Sequence, residues 1–261
     1  MATVSGRVFA ITGGASGIGA ATSQLLAQRG AAAVCIGDIS DQNFSTLEQK
    51  IKEINPSTKV HCSVVDVTSA QAVDDWIQSI TSRFGNLHGA ANVAGISQGG
   101  GMRQTPALLD ESNDEWNTVL RVNLDGIFYC TKAQVRAMRG LPGGDRAIVN
   151  VASIAALWHL PDVFAYATSK NAASYFSTCV AADVFSLGIR VNTVCPGITD
   201  TPLLPKFMPG EKTVEDVKKV YQAEGFQILQ PDDIARTIVW LLSEDSRPVH
   251  GANINVGATV P

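Results

Sequence analysis

The sequence predicts an α/β fold: a single doubly wound, Rossmann-type domain with a mostly seven-stranded parallel sheet flanked by helices. Three observations carry this prediction. Short apolar runs alternate with helical stretches from one end of the chain to the other. The runs are apolar throughout, as in strands buried on both faces, and their separation by helices calls for parallel pairing. The first run also ends in a glycine-rich loop that opens into a helix.

The elements follow in order. "RVFAIT" (7–12) is a first strand, and Gly17–Arg29 carries apolar residues at helical spacing. "AAAVCIGD" (31–38) is a second strand, followed by a polar helix around Gln42–Ile54. "KVHCSVVDV" (59–67) precedes a helix over Ala70–Phe84, and "LHGAANVAG" (87–95) is a fourth strand. Helical stretches over Asp114–Leu120 and Gly126–Met138 lead to "RAIVNVAS" (146–153). A long helix after Tyr166 runs into "IRVNTVCPG" (189–197), and a helix over Pro231–Leu242 precedes the seventh strand, "ANINVG" (252–257). Right-handed crossovers between such strands give the doubly wound topology. The Gly- and Pro-rich patches at 95–106, 140–144 and 202–210 are short and lie between elements, so residues 1–261 read as one domain. The stretch from about 198 to 224 reads as a mobile flap with a short helix over the substrate.

Composition narrows the function. Of 261 residues, 45% are hydrophobic and 17% charged, enough for a large core and unlike a disordered chain. Lys and Arg total 20 against 24 Asp and Glu, scattered without a run of like charge. That argues against a nucleic-acid partner and against a polybasic membrane anchor. No apolar run reaches the length of a membrane helix, and the N-terminus lacks the regions of a signal peptide. The five cysteines (Cys35, Cys62, Cys130, Cys179, Cys195) are far apart, and their expected state is buried and reduced in a cytoplasmic protein. His61, His88, His159 and His250 show no ligand spacing, so no metal is expected.

The loop "TGGASGIG" (12–19) sets Gly13, Gly17 and Gly19, with Ser16 and Ile18, between the first strand and the first helix. A tight turn there lets backbone approach a pyrophosphate beside the positive end of the helix dipole. Asp38 closes the second strand, where a carboxylate accepts from both adenosine ribose hydroxyls and repels a 2′-phosphate. NAD(H) is thus favoured over NADP(H). Asp66, with Val67, ends the third strand; it either holds the adenine amino group or forms a turn.

Ser153 ends the fifth strand, on the edge of the sheet where ligands of such folds bind. Tyr166 and Lys170 stand i and i+4 on the next helix and share a face. A nearby ammonium and nicotinamide cation lower the pKa of a phenol, which then moves a proton to or from a substrate oxygen while Ser153 holds it. Taken alone, the Tyr/Lys pair would be an ordinary helix face.

The set of motifs resembles the short-chain dehydrogenase/reductase family. "TGGASGIG" (12–19), "NVAG" (92–95), Asn123 in "RVNLDG", Ser153, "YATSK" (166–170) and "CPGITDT" (195–201) occur in the family's order over nearly the whole chain. The resemblance implies a catalytic tetrad of Asn123, Ser153, Tyr166 and Lys170. It implies that Lys170 also grips the nicotinamide ribose and that Asn123 helps a water link Lys170 to solvent. Gly13, Gly17, Ile18 and Gly19 would cradle the pyrophosphate, Asn92 would pack the adenosine side, and Ile198 and Thr201 would meet the carboxamide. Two departures are Val93, where the family often has Asn, and the tail "NVGATV" (255–260) in place of Val-Asp-Gly-Gly. The strings "LHGAANVAGI" and "NVGATV" resemble fungal members working in secondary-metabolite, including terpenoid, pathways. Family members assemble as homodimers or homotetramers through helices around 105–138 and 166–186.

Three segments, 96–106, 154–164 and 198–224, should line the substrate pocket. Their Ile96, Met102, Leu157, Trp158, Phe164, Leu203, Leu204, Phe207 and Met208 suit a bulky, mostly apolar alcohol or ketone, although packing of the lid explains several equally well. His159 either bonds the substrate or serves the loop. The expected function is an NAD(H)-dependent alcohol dehydrogenase or ketoreductase. The alternatives are a cofactor-bound isomerase or cyclase without net redox, and a non-catalytic dinucleotide-binding regulator.

Overall fold

The computed structural model describes residues 4–99, 106–141, 144–158, 162–207, 213–223 and 225–257. Its strands are β1 (Val8–Thr12), β2 (Ala33–Asp38), β3 (Lys59–Val64), β4 (Gly89–Asn92), β5 (Arg146–Val151), β6 (Ile189–Pro196) and β7 (Asn253–Val256). They form one parallel sheet in the order β3-β2-β1-β4-β5-β6-β7. The helices are α1 (Gly17–Gln28), α2 (Phe44–Ile54), α3 (Ala70–Phe84), α4 (Asn113–Leu120), α5 (Gly126–Arg139), α6 (Phe164–Val184), α7 (Val214–Ala223) and α8 (Pro231–Leu242).

Side-chain alternation along β1 explains the two layers of helices. Phe9 and Ile11 enter a core with Leu26, Ile51, Ile238 and Leu242 from α1, α2 and α8. Val8 and Ala10 enter the opposite core with Trp76, Ile80, Met138 and Val184 from α3, α5 and α6. Burying each larger side chain contributes about 1.5–3 kcal/mol, so both faces help hold the sheet. Local signals set the helix limits: Ser69 accepts the N–H of Ala72 to start α3, and Gly85, at φ 72°, ends it.

Two expectations need correction. β3 and β7 are edge strands and partly exposed, because each lacks a neighbour on one side and carries polar residues such as Lys59, Ser63 and Asn253. The cysteines are unpaired thiols, but Cys179 is exposed on the outer face of α6 and Cys62 half-buried on β3.

The strand order runs outward from β1 to β3 and then returns from β1 to β4. The reversal opens a crevice at the carboxyl ends of β1 and β4. Thr12 keeps its rim together: Oγ1 accepts the N–H groups of Val93 and Ala94 at 3.2 and 3.3 Å.

Candidate active site

The glycine loop occupies this crevice, and its packing shows why the glycines are needed. A Cβ on Gly19 would sit 2.1 Å from the carbonyl oxygen of Gly13, and one on Gly13 would sit 2.8 Å from Ala94 backbone. Gly13 and Gly17 also have φ of 60° and 47°, a region L side chains rarely adopt. Ser16 is the N-cap of α1 and makes no side-chain cap bond, while Ile18 lines the adjoining cavity. Thr201, expected at the carboxamide, stands against the loop: its Cβ is 3.2 Å from the Cβ position of Gly17.

Asp38 is tied to the same loop. Its Oδ2 accepts the N–H of Ala15 at 3.0 Å and its Oδ1 that of Ser40 at 3.2 Å. Each oxygen retains a lone pair, so the carboxylate both closes the loop and offers acceptors to the crevice. Asp66 is exposed and accepts from Thr68 N–H and Oγ1, at 2.9 and 2.8 Å. Val67 is buried, with its Cγ2 2.9 Å from where a Cβ on Gly126 would lie. The side chain of Asn92 is buried in a network away from the crevice. Its Nδ2 donates to Asn150 at 2.8 Å and Gln134 at 3.0 Å, and its Oδ1 accepts from Gln134 at 2.7 Å. Any effect of Asn92 on a cofactor therefore passes through the position of the β4 end.

The structure brings Asn123, Ser153, Tyr166 and Lys170 to one place. Ser153 follows β5, and its Oγ accepts the N–H of Ala155 at 3.1 Å, starting a 3-10 turn. Tyr166 and Lys170 lie one turn apart on α6, both buried, with Nζ 5.7 Å from the phenol ring centroid. Lys170 Nζ donates to Val151 O at 3.1 Å, which ties α6 to the end of β5. Asn123 lies in a π-helical turn, Arg121–Asp125, between α4 and α5. Such turns accompany functional sites, and this one directs Asn123 inward. Its Oδ1 accepts the N–H of Ile96 at 2.9 Å, and its Nδ2 donates to Ile96 O at 3.0 Å. A Cβ on Gly95 would be 3.2 Å from both Asn123 Oδ1 and Lys170 Nζ, so the bare backbone of Gly95 keeps open the space between them.

Burial dominates the electrostatics here. It pushes the Tyr166 phenol up to about 12, against the opposing hydrogen bond with Ser153. It brings the Lys170 ammonium down to about 8. The lowered phenol pKa expected from the sequence is thus absent from the protein alone, because desolvation of the phenolate outweighs its partners.

Above these groups lies a cavity of about 400 Å³. Trp158, Leu203, Leu204 and Phe207 line it as expected, joined by Tyr221 and Phe226, while Ile96, Leu157 and Phe164 are not among its lining residues. Met102, His159 and Met208 lie outside the described residues. Phe207 meets the Tyr166 ring edge-on at 4.9 Å between centroids, roofing the phenol with apolar surface. Lys218 on α7 pairs with Asp200 after β6 at 2.5 Å, fastening the covering segment to the sheet edge. The sequence reading missed Gln98, which is buried beside Tyr166 and accepts its backbone N–H at 3.2 Å. A lone Gln in a glycine-rich loop carries no periodic signal that would have marked it.

The glycine cradle, the acceptors of Asp38 and the open floor at Gly95 fit a nicotinamide dinucleotide, so fold and site together define a dinucleotide-dependent oxidoreductase. Comparison with known proteins gives the particular family. A family model described as enoyl-(acyl carrier protein) reductase matches residues 13–258. The chain is 66% identical, over the full length of both chains, to a chanoclavine-I dehydrogenase of Penicillium roqueforti. It is 61% identical, again over both full lengths, to one of Aspergillus fumigatus. Among solved structures it resembles an NAD+-bound xylitol dehydrogenase, with a TM-score of 0.84, 27% identity, and 98% of this chain and 99% of the other covered. The chain belongs to the short-chain dehydrogenase/reductase family and is an alcohol oxidoreductase. Among the described residues no helix is long and apolar enough to cross a membrane.

Proposed function

We propose that this chain oxidises chanoclavine-I, or an alcohol closely related to it, with NAD, as a step of fungal secondary metabolism. The observation that carries the reading is the buried Ser153–Tyr166–Lys170 cluster at the floor of an aromatic cavity, in a chain 66% identical to a protein named for that activity. Asp38, with no cation supplied by Ile39 or Ser40, supports NAD over NADP.

Bound NAD+ supplies the hydride acceptor and a positive charge near the phenol. The residues supply the rest. Tyr166 Oη takes the proton of the substrate hydroxyl, and Ser153 donates a hydrogen bond to the same oxygen. Lys170, between the Val151 carbonyl and the phenol ring, favours the phenolate when protonated and grips the ribose. Asn123 holds the Gly95–Ile96 backbone so that a water can reach Lys170 and carry the proton outward. The apolar lining of the cavity limits water at the reacting oxygen, and α7 with its Lys218–Asp200 pair closes over the substrate. Gly13, Ser16, Gly17, Ile18 and Gly19 hold the pyrophosphate side; Asp38 takes the ribose, Asp66 and Val67 border the adenine, and Ile198 and Thr201 meet the carboxamide. Exposed Phe128, Tyr175 and Phe185 on and after α5 and α6 support a homodimer or homotetramer built on these helices.

The test is to mix purified protein, chanoclavine-I and NAD+, following reduced nicotinamide by absorbance and the product by mass spectrometry. Stoichiometric reduction with loss of two hydrogens from the alcohol is expected. Conversion of the substrate without cofactor reduction would instead favour an isomerase.

A further inference from the structure

The geometry points to Gln98 as a positioning residue for proton transfer: its side-chain amide fixes the start of α6, and with it Tyr166, by bridging the Tyr166 backbone to Glu111. The inference rests on the reading of Tyr166 as proton carrier.

The first N–H groups of a helix have no partner within it. Tyr166 is the third residue of α6, and the N-cap residue, Val163, has no polar side chain to offer. Gln98, remote in sequence, fills that role by accepting the N–H of Tyr166 at 3.2 Å. Its Nε2 donates to both carboxylate oxygens of Glu111 at 2.8 Å. Gln98 is only 1% exposed, so water does not compete for either bond. Only one orientation of the amide works, with its oxygen toward the N–H donor and its nitrogen toward the carboxylate. The charge of Glu111 polarises that amide and strengthens its oxygen as an acceptor.

The neighbouring backbone is held in the same way. Ile96 is bonded at both N–H and C=O by Asn123, and the N–H of Gly99 by Glu115 at the start of α4. Loop 96–99 is therefore a strap joining two tetrad residues to the entrance of α4. Without the Gln98 bond the first turn of α6 loses its cap, and the phenol can drift from Ser153 and Lys170.

The test uses Gln98→Met, which keeps the volume and removes both polar atoms, beside Gln98→Glu, Glu111→Gln and their double variant. Turnover is measured with NAD+ and chanoclavine-I. Tyr166 ionisation is read from near-ultraviolet phenolate difference spectra against the matching Tyr166→Phe protein. Gln98→Met should lower kcat about tenfold or more, as expected for a displacement of about 1 Å, with KM for NAD+ changed less than about twofold. It should also move Tyr166 ionisation to higher pH. Gln98→Glu sets two carboxylates face to face and should lose activity at neutral pH, whereas Glu111→Gln alone stays within about threefold. The double variant again pairs an acceptor with the Tyr166 N–H and a donor with position 98, and should return kcat to within about threefold of wild type.

The proposal is overturned if Gln98→Met only lowers the Tm, with kcat and the Tyr166 titration within about twofold. It is equally overturned if a stably folded double variant stays as impaired as Gln98→Glu. That pair decides the matter if Gln98→Met does not fold. If instead Tyr166→Phe retains turnover, the functional reading has failed, and the phenolate titration still reports whether Gln98 sets the environment of Tyr166.

Discussion

Replacing Asp38 by Asn should both loosen the glycine loop and relax the choice of dinucleotide. Asp38 accepts one N–H from Ala15 and one from Ser40. An Asn offers a single acceptor oxygen, so one of those N–H groups would face an amide NH₂. A hydrogen bond to a charged group contributes about 1.5–3 kcal/mol, and the partial exposure of Asp38 reduces the loss to about 1 kcal/mol. The effect on selectivity is larger. A carboxylate and one phosphate charge about 5 Å apart repel by about 3 kcal/mol at an effective dielectric of about 20, and salt roughly halves this. Each 1.4 kcal/mol is about tenfold, so the ratio of kcat/KM for NAD+ over NADP+ should fall between about 10- and 100-fold. Initial rates with both cofactors at fixed low salt, with thermal unfolding run in parallel, measure this. A ratio within about twofold of wild type would refute the assignment of Asp38 to the ribose, whatever happened to stability.

Three further outcomes follow from the same geometry. Gly19→Ala forces a Cβ to 2.1 Å from the Gly13 carbonyl, so it should abolish NADH binding by calorimetry and cost about 3 kcal/mol or more by denaturant unfolding. Retained affinity would show that the loop has another conformation. Asn92→Leu takes both Asn92 bonds from Gln134 and one donor from Asn150, which keeps Ser177 and Thr131, and should cost about 2–3 kcal/mol while changing NADH affinity little; lost affinity at unchanged stability would place the Asn92 side chain in the cofactor site. The neutral ring of His88 accepts the N–H of Val8, and burial lowers its pKa from 6.5 to about 4. The unfolded chain then binds the proton more tightly, so this stability is complete above about pH 6.5 and lost as pH falls through about 4. Partial exposure limits the loss to about 1–2 kcal/mol. Unfolding curves over that range should show the fall, and His88→Gln should flatten it.

Most of the frame was legible because it rests on local regularities. Continuous apolar runs marked the strands, and Ala70–Phe84 and Pro231–Leu242 match their helices because Ser69, Gly85 and Pro231 punctuate them. The strand ends were read too long at 59–67 and 87–95, where apolar sequence continues past the last sheet bond into the loops at the crevice. The motifs named the residues that the structure gathers around Lys170, but not what holds them there. The Gln98 strap, the Asp38–Ala15 bond and the Asn92 network join positions far apart in sequence, and no periodicity encodes such pairs. Nor did the i, i+4 spacing of Tyr166 and Lys170 reveal that burial would raise one pKa and lower the other, since burial is a property of the whole fold.

The central claim is that Tyr166 carries the proton. Tyr166→Phe removes one oxygen atom and keeps the ring against Phe207, so NADH binding and Tm should stay close to wild type. Oxidation of chanoclavine-I with NAD+ should fall by at least about 100-fold, the lower end of what a positioned proton carrier contributes. A variant that binds NADH normally and keeps wild-type turnover would contradict the account.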